Sequence, residues 1–274
     1  MWQGRRVIVA GGTAGFGLVL ARRIARAGGR VLLVGRSNEG VRRALELCDR
    51  DGGAATEARG VAADLERDGE GERVVAEAVS MLGGVDDLVF CVGRSGRAAT
   101  LRVGRGTFRE FLDANLLSAV EITQAAADHV AAARGQIVFV GSLAGKLVTP
   151  FLGPYAVAKS ALAAYADAVR LELEPRGGHV LLVSPGPIAR AADDPATERA
   201  TNRYAAEIAA AGLPPEAARP GGTGRLRPLD PAALADAVLR ACSRRAPELV
   251  VPRGAGLLAG LIEWFPTWGR RLLG

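Results

Sequence analysis

Three side chains that could together move a proton lie in one short stretch of the chain. Ser142 follows an apolar, β-branched run, Ile137 to Val140, and Tyr155 and Lys159 come a little later. Residues four apart on a helix share a face, so the phenol and the ammonium should point the same way. Pro154 suits the first turn of such a helix, because the N–H that proline lacks has no partner there. A hydroxyl at a strand end, a phenol and an ammonium could therefore meet in one crevice and exchange a proton with a substrate oxygen.

The composition makes this spacing informative. Among 35 basic residues, only Lys146 and Lys159 are lysines, and the three tyrosines are Tyr155, Tyr165 and Tyr204. A chance match to Tyr-x-x-x-Lys is rare when both residue types are so scarce. The guanidinium of arginine does not easily replace a compact ammonium beside a phenol.

A glycine-rich turn near the N-terminus predicts a binding site for a dinucleotide. The apolar run Arg5 to Ala10 leads into a G-x-x-x-G-x-G spacing, which is followed by a helical run, Leu18 to Ala27, and a second strand, Arg30 to Val34. Glycines let the backbone approach a pyrophosphate, and the helix N-terminus supplies N–H donors. A glycine turn without a ligand is the alternative. The turn residues predicted to contact the cofactor are Gly11, Thr13, Gly15, Phe16 and Gly17.

The end of the second strand bears on which dinucleotide is bound. A site selective for NAD commonly has an acidic residue there for the ribose hydroxyls. Here the strand ends in Gly35, Arg36 and Ser37, which could hold a 2′-phosphate. We therefore expect NADP(H), with NAD(H) as the lesser choice, although Arg36 could also be an ordinary surface arginine.

Strand and helix patterns alternate along the rest of the chain, which predicts an α/β fold with a parallel, doubly wound sheet and helices on both faces. Asn115 stands within a predicted helix from Thr107 to Ala133 and could instead cap a helix or be exposed. We expect a single domain over residues 1–254, a lid over 190–228 with a helix around 195–211, and an apolar tail over 255–274. The other predicted helices are 39–50, 71–82 and 231–243, and the other predicted strands end near 61–63 or cover 85–92, 179–184 and 248–251.

The composition excludes several other classes of protein. The net charge of +6 comes from scattered arginines with no block of like charge, so we do not expect a nucleic-acid partner. The three cysteines are far apart, which predicts reduced thiols, no metal site and a cytoplasmic location. No signal peptide or membrane-spanning run is expected. His129 and His179 belong to no constellation and are expected to be structural or exposed.

Taken together, these residues resemble the short-chain dehydrogenase/reductase family over nearly the whole chain. The resemblance implies a seven-stranded Rossmann-type sheet and hydride exchange between NAD(P) and a carbonyl/alcohol pair. It implies that Tyr155 is the general acid or base, that Ser142 binds the substrate carbonyl, and that Lys159 binds the nicotinamide ribose and lowers the Tyr155 pKa. Asn115 would hold a water in a proton relay, and Asp64 would meet the adenine. Further cofactor contacts implied are Leu65, Gly93, Pro185, Gly186 and Ile188, together with Tyr155 and Lys159.

Three positions depart from the family pattern. Ala10 replaces the threonine that usually opens the glycine motif, and Phe90-Cys91-Val92-Gly93 keeps only the glycine of the usual Asn-Asn-Ala-Gly. Arg190 replaces a threonine common after Pro-Gly. None of these changes removes the four predicted catalytic residues, so we expect activity.

The sequence thus predicts an NADPH-dependent oxidoreductase that interconverts a ketone and a secondary alcohol of a fairly apolar substrate. The rival hypothesis is a catalytically weak or inactive dinucleotide sensor on the same scaffold. The resemblance implies a homodimer or homotetramer. The tail holds Trp264, Phe265 and Trp268 before Arg270 and Arg271, and it could pack on the body, on another subunit or on a membrane surface.

Overall fold

The sheet carries the predicted topology. The computed structural model describes residues 1–52, 57–190, 204, 207–218, 227–265 and 267. Seven strands, all parallel, form one sheet in the order β3-β2-β1-β4-β5-β6-β7. The Rossmann-type fold is therefore confirmed. The strands are β1 Arg6–Ala10, β2 Arg30–Gly35, β3 Ala58–Ala62, β4 Asp87–Phe90, β5 Gln136–Val140, β6 Val180–Pro185 and β7 Glu248–Val251.

Helices cover both faces of this sheet. Most of the predicted lid, including the greater part of the helix around 195–211, lies outside the described residues, as do Trp268, Arg270 and Arg271 of the tail. The helices are α1 Gly15–Arg26, α2 Asn38–Gly52, α3 Glu70–Leu82, α4 Arg105–Leu112, α5 Ser118–Ala132, α6 Gly153–Leu173, α7 Pro231–Ser243 and α8 Arg253–Trp264.

The strands are apolar along their whole length because each face of the sheet packs against helices. On β1, Val7 and Val9 belong to a core cluster with Leu20 of α1 and Val238 of α7. The alternate residue Ile8 belongs to a second cluster with side chains of α3, α5 and α6. This two-sided burial fixes the sheet as a platform whose carboxyl edge carries the loops.

The strand order places a crevice at a defined point of that edge. The strand β1 pairs with β2 on one side and with β4 on the other, so the order reverses between β1 and β4. In open parallel sheets, ligands bind outside the carboxyl ends of the strands at such a reversal. The glycine turn after β1 and the residues after β4 and β5 therefore surround one crevice.

The helix predicted from Thr107 to Ala133 is present from Arg105 to Ala132, but it is not α-helical throughout. A π-helical turn, Asp113–Leu117, separates α4 from α5, and the side chain of Asn115 is fully buried within it. The Asn115 Nδ2 donates to the carbonyl of Phe111, which lies one turn earlier, at 2.9 Å. A side chain that binds this carbonyl competes with the backbone N–H, which explains the local widening. Exposure of Asn115 is also excluded.

The two histidines are structural or exposed, as predicted. His179 is buried, with Nε2 at 3.0 Å from the carbonyl of Ala246 and Nδ1 near the Glu174 carboxylate. His129 lies on an exposed face of α5.

The apolar tail begins as α8. Ala255 and Ala259 are buried, whereas Leu257, Leu261 and Trp264 are exposed, Trp264 by 83%. Among the described residues, the helices are all too short or too polar to cross a membrane.

Candidate active site

The hydroxyl and phenol predicted to act together do meet at the end of β5. Ser142 follows that strand and accepts a hydrogen bond from the N–H of Ala144 at 3.1 Å, which caps a short 3-10 turn. Its hydroxyl also lies near the phenol of Tyr155, on whose pKa it acts. The helix α6 starts at Gly153 with Pro154 in its first turn, which places Tyr155 at the near end of the helix. The fold thus fixes two groups that could bind the same substrate oxygen.

Lys159 lies one turn further along α6 and is 5% exposed. Its Nζ donates to the carbonyl of Val140, at the end of β5, at 3.2 Å. Burial lowers the pKa of Lys159 to about 8, and the neighbouring Cys91 thiol works weakly against this shift. The ammonium therefore loses its proton far more readily than a surface lysine does.

The pKa of Tyr155 is raised, chiefly because burial disfavours the phenolate. The Ser142 hydroxyl and the positive charge of Arg97 lower this pKa, while Tyr204 adds to the increase. The phenol is consequently protonated at neutral pH and suited to donate a proton. The lowering by Lys159 that the family resemblance implies stays a prediction.

One of the two polar side-chain atoms of Asn115 has no hydrogen-bond partner among the described residues. Its Nδ2 donates to the carbonyls of Arg94 and Phe111, both at 2.9 Å. Its Oδ1 is buried and, within the described part of the chain, has no hydrogen-bond partner. A Cβ on Gly93 would lie 2.7 Å from this Oδ1 and 3.1 Å from the Lys159 Nζ. Glycine at this position thus leaves room between the amide and the ammonium, and buried polar atoms of this kind commonly bind water.

The glycine turn fits a dinucleotide. Gly11 has a φ of +75°, and a Cβ on Gly17 would lie 2.2 Å from the carbonyl oxygen of Gly11, so α1 can approach β1 only with glycine there. Ala14 precedes α1 without a side-chain cap, and the first turn has no acidic residue. Apart from its chain neighbours and the backbone of α1 itself, no atom of the described residues lies within 4 Å of a Cβ built on Gly15. The helix therefore presents uncapped N–H groups to open space, which is the arrangement that binds pyrophosphate.

The other predicted cofactor contacts border the same edge of the sheet. Thr13 packs against Gly35, since a Cβ built on Gly35 would lie 2.1 Å from the Oγ1 of Thr13. Arg36 and Ser37 are exposed after β2, and the Ser37 Oγ accepts from the N–H of Gly40 at 3.1 Å. Within the described chain, Arg36 has no ion pair. Arg36 can therefore reach a ligand, whereas the Ser37 oxygen already caps α2.

The predicted contacts after β3 and β6 differ in their exposure. Asp64 is partly exposed and accepts from the N–H of Glu66, whereas Leu65 is buried in the core. Pro185 ends β6, and the N–H of Gly186 donates to the carbonyl of Val251 at 2.7 Å. Ile188 forms an isolated bridge with Leu229. The buried Leu65 can offer mainly its backbone, whereas the Asp64 carboxylate stays accessible to an adenine.

Several groups that border the site carry no signal in the sequence. The Cys91 Cβ lies 3.1 Å from a Cβ built on Gly17, and burial raises the pKa of its thiol to about 12. Cys91 thus fills space between the glycine turn and Lys159 as a protonated thiol. Arg97, from the loop after β4, and Tyr204, from the helix predicted around 195–211, both act on the pKa of Tyr155. The described chain holds no cluster of three or more His, Cys, Asp or Glu that could bind a metal.

Several known proteins are similar to this chain in sequence and in fold. The sequence model of the family described as short chain dehydrogenase matches residues 5–201. A hydroxysteroid 11-beta-dehydrogenase 1-like protein of Bos taurus is 33% identical over 63% of this chain and 59% of its own length. A putative ketoacyl reductase of Streptomyces coelicolor is 32% identical over 65% of this chain and 69% of its own length. A single-residue variant of the actinorhodin polyketide ketoreductase, crystallised with NADPH, is 27% identical with a TM-score of 0.73, over 92% of this chain and 97% of its own.

The family match covers more than half of the chain, and the fold and the glycine turn agree with it. The chain therefore belongs to the short-chain dehydrogenase/reductase family. It is an oxidoreductase that acts on CH–OH or ketone groups.

Proposed function

We propose that this protein is an NADPH-dependent oxidoreductase that interconverts a ketone and a secondary alcohol on a largely apolar substrate. The observation that carries the proposal is the proximity of the Ser142 hydroxyl to the Tyr155 phenol, with Lys159 one helical turn away. This group borders the crevice that the glycine turn and the uncapped start of α1 also face. The ketoreductase relatives support the reaction type, and the NADPH bound to the actinorhodin enzyme supports the cofactor.

Each side chain has a separate task in this proposal. Ser142 hydrogen-bonds the substrate oxygen and holds it against the Tyr155 hydroxyl. In reduction, Tyr155 gives its proton to that oxygen, and in oxidation it takes the proton back. Lys159 binds the nicotinamide ribose, and Asn115 uses its buried Oδ1 to hold a water through which protons pass to solvent. NADPH, when bound, supplies the hydride.

The proposal assigns the cofactor's parts to two ends of the crevice. The α1 N-terminus and the turn from Gly11 to Gly17 would hold the pyrophosphate. Arg36 would pair with the 2′-phosphate, and Asp64 would meet the adenine. The inactive-sensor hypothesis is not favoured, because all four predicted catalytic side chains border the crevice.

The choice between NADPH and NADH depends on Arg36. The Arg36→Ala variant should bind NADPH about 10- to 100-fold more weakly and NADH unchanged, because only NADPH carries the phosphate that a guanidinium can bind in a bidentate manner. Fluorescence titration with both dinucleotides measures this. Arg240→Ala is the matched control, since this exposed residue lies in the last turn of α7 and carries the same charge. A parent protein that prefers NADH would refute the assignment.

Cofactor binding should also depend on pH through Lys159. Its pKa is lowered to about 8, so the side chain is charged below pH 8 and loses its proton as the pH rises above that value. A charged donor binds a hydroxyl more strongly than a neutral one, and the Kd for NADPH should therefore rise about tenfold between pH 7 and pH 9.5. Lys159→Met should bind weakly at every pH without this rise. A Kd of the parent protein that stays flat across the range would contradict the role of Lys159.

We also propose a homodimer or homotetramer in which the helices that carry Asn115 and Tyr155 pair between subunits. Leu117 at the start of α5, and Val157 and Leu171 on α6, are large apolar side chains exposed to solvent in the single chain. Light scattering tests this, and a monomeric mass at micromolar concentration would exclude it.

We further propose a cytoplasmic enzyme whose tail can contact a membrane surface. The exposed apolar residues of α8 and the arginines of the tail support that contact. Flotation of the full-length protein with liposomes, against a chain truncated at Gly256, tests it, and equal behaviour of the two would exclude it.

A further inference from the structure

The loop that follows β4 carries an arginine into the substrate side of the crevice. This loop passes Asn115, which donates to the carbonyl of Arg94, and then runs beside the start of α6. There the N–H of Ala98 donates to the carbonyl of Phe151 at 2.9 Å, and Ala98 forms a bridge with Leu152. Arg97 is thus placed on the side of the crevice where α6 presents Tyr155.

Three contacts fix the guanidinium of Arg97. Its Nε donates to the carbonyl of Ala217 at 2.8 Å, and one terminal nitrogen donates to the carbonyl of Gly96 at 3.2 Å. Its Cζ lies 4.4 Å from the ring centroid of Tyr204, whose hydroxyl is hydrogen-bonded to Ser95. A guanidinium stacked on a ring and held by two carbonyls is preorganised for a planar ligand.

The guanidinium of Arg97 still has a nitrogen that can donate hydrogen bonds to a ligand. The second terminal nitrogen, Nη2, has no hydrogen bond to any described residue, and no carboxylate of the described chain forms an ion pair with it. Arg97 is only partly exposed, so its charge has lost part of its hydration without gaining a counter-ion. Its charge also reaches the catalytic group, because Arg97 lowers the pKa of Tyr155. A cation in this position favours an anion bound within reach of the reacting oxygen.

Glu207 is an acidic residue near Gly96 of this loop. Its Oε2 lies 3.4 Å from a Cβ built on Gly96. The carboxylate takes part in an interaction of its own, and it forms no ion pair with Arg97 among the described residues. Glu207 therefore does not hold the Arg97 guanidinium through a direct ion pair in the described part of the chain.

We propose that Arg97 is a specificity-determining residue that binds the carboxylate of the substrate, so that the enzyme acts on oxo acids with an otherwise apolar body. The inference rests on the proposed ketone reduction and names its substrate class. The ketone oxygen would lie on Ser142 and Tyr155, and the carboxylate would bind the free edge of the Arg97 guanidinium. Exposed apolar side chains on the flanking loops, Leu101 and Val148, offer contacts for the carbon chain between the two polar groups.

The test compares each acid with its own methyl ester. The probes are methyl-ketone acids of five to ten carbons with the oxo group next to the terminal methyl, each paired with its ester, in reactions that follow NADPH oxidation. The acid of the best-fitting length should exceed its ester in kcat/KM by about 10- to 100-fold, the range of a charge-assisted hydrogen bond. Arg97→Gln should raise KM for the acid and so abolish this preference, while KM for the ester stays the same. The loss of the charge near Tyr155 should change kcat by the same factor for the acid and the ester. Arg97→Lys, which keeps the charge, should retain part of it.

Arg102→Gln is the matched control, because Arg102 is an exposed arginine of the same loop and loses the same charge. It should keep the parent preference. A second readout needs no turnover: calorimetric titration with decanoate should show binding to the parent and a loss of about tenfold or more in Arg97→Gln.

Each outcome separates the inference from the proposed function. If the parent reduces acids and esters equally well, the proposed reaction stands and the oxo-acid inference falls. If Arg97→Gln lowers kcat/KM for acid and ester by the same factor, Arg97 only positions Tyr204 or tunes Tyr155, and the inference is again overturned. If no ketone of either kind is reduced while decanoate still binds through Arg97, the ketone-reduction proposal fails on its own.

Discussion

Replacement of Tyr155 by Phe is expected to lower kcat/KM for ketone reduction by about 10²- to 10⁴-fold, the range for loss of a positioned general acid. The substitution removes only the phenol hydroxyl, which lies near Ser142. The helix α6 and the apolar contacts of the ring with Ala144, Leu152 and Ala156 should persist. NADPH affinity should therefore change little, and the loss should appear in kcat.

Tyr165→Phe is the matched control for this experiment. Tyr165 lies on the same helix, and its hydroxyl makes a long hydrogen bond, 3.4 Å, to the carbonyl of Val120. Removal of this hydroxyl should leave kcat within about twofold of the parent value, because the Tyr165 phenol touches none of the residues proposed to transfer the proton. A Tyr155→Phe protein with full activity on a confirmed substrate would show that another group transfers the proton.

Gly17→Ala is expected to have the second large effect, on cofactor binding. The added Cβ would lie 2.2 Å from the carbonyl oxygen of Gly11, and both atoms belong to or adjoin the backbone. The start of α1 must then move away from β1 by roughly 1 Å, which can cost about 10²-fold where a site depends on exact placement. NADPH affinity should fall by about that factor, and overpacking should also lower the free energy of unfolding by about 1–3 kcal/mol.

Gly104→Ala is the matched control, because it adds the same methyl group at a position where the Cβ has room. Gly104 precedes α4 with a φ of −77°, and no atom lies within 4 Å of a Cβ built on it. This variant should bind NADPH like the parent and unfold at a similar temperature. Equal NADPH affinity in Gly17→Ala and the parent would mean that the glycine turn does not hold the dinucleotide.

The sheet and the placement of the main candidate site residues could largely be predicted from the sequence. The strand and helix patterns are local, so the sheet followed from alternation, and α7 and β7 have the predicted bounds. Ser142, Tyr155 and Lys159 come together because a strand end and a helix start carry them, and both are readable from sequence. The break at Asn115 was not readable, because it depends on a side chain that competes for the Phe111 carbonyl once buried.

The substrate side of the crevice shows the limit of such reasoning. Arg97 becomes notable only when its loop lies beside α6 and its guanidinium stacks on Tyr204, which is more than a hundred residues away in the sequence. The loop that carries Arg97 has no periodic pattern, and its contact with Tyr204 is set by the fold as a whole. The low pKa of Lys159 likewise arises from burial that its residue type does not indicate.

The most direct test of the central claim is a single-turnover reaction with NADPH that carries deuterium in place of both hydrogens at C4 of the nicotinamide, followed by mass analysis of the product. With an oxo acid or ketone that the parent accepts, one secondary alcohol should form for each NADPH oxidised, one mass unit heavier than the unlabelled product. Tyr155→Phe should form almost none in the same time. A protein that binds NADPH yet transfers no label to any carbonyl of the panel would contradict the account and favour a sensor on this fold.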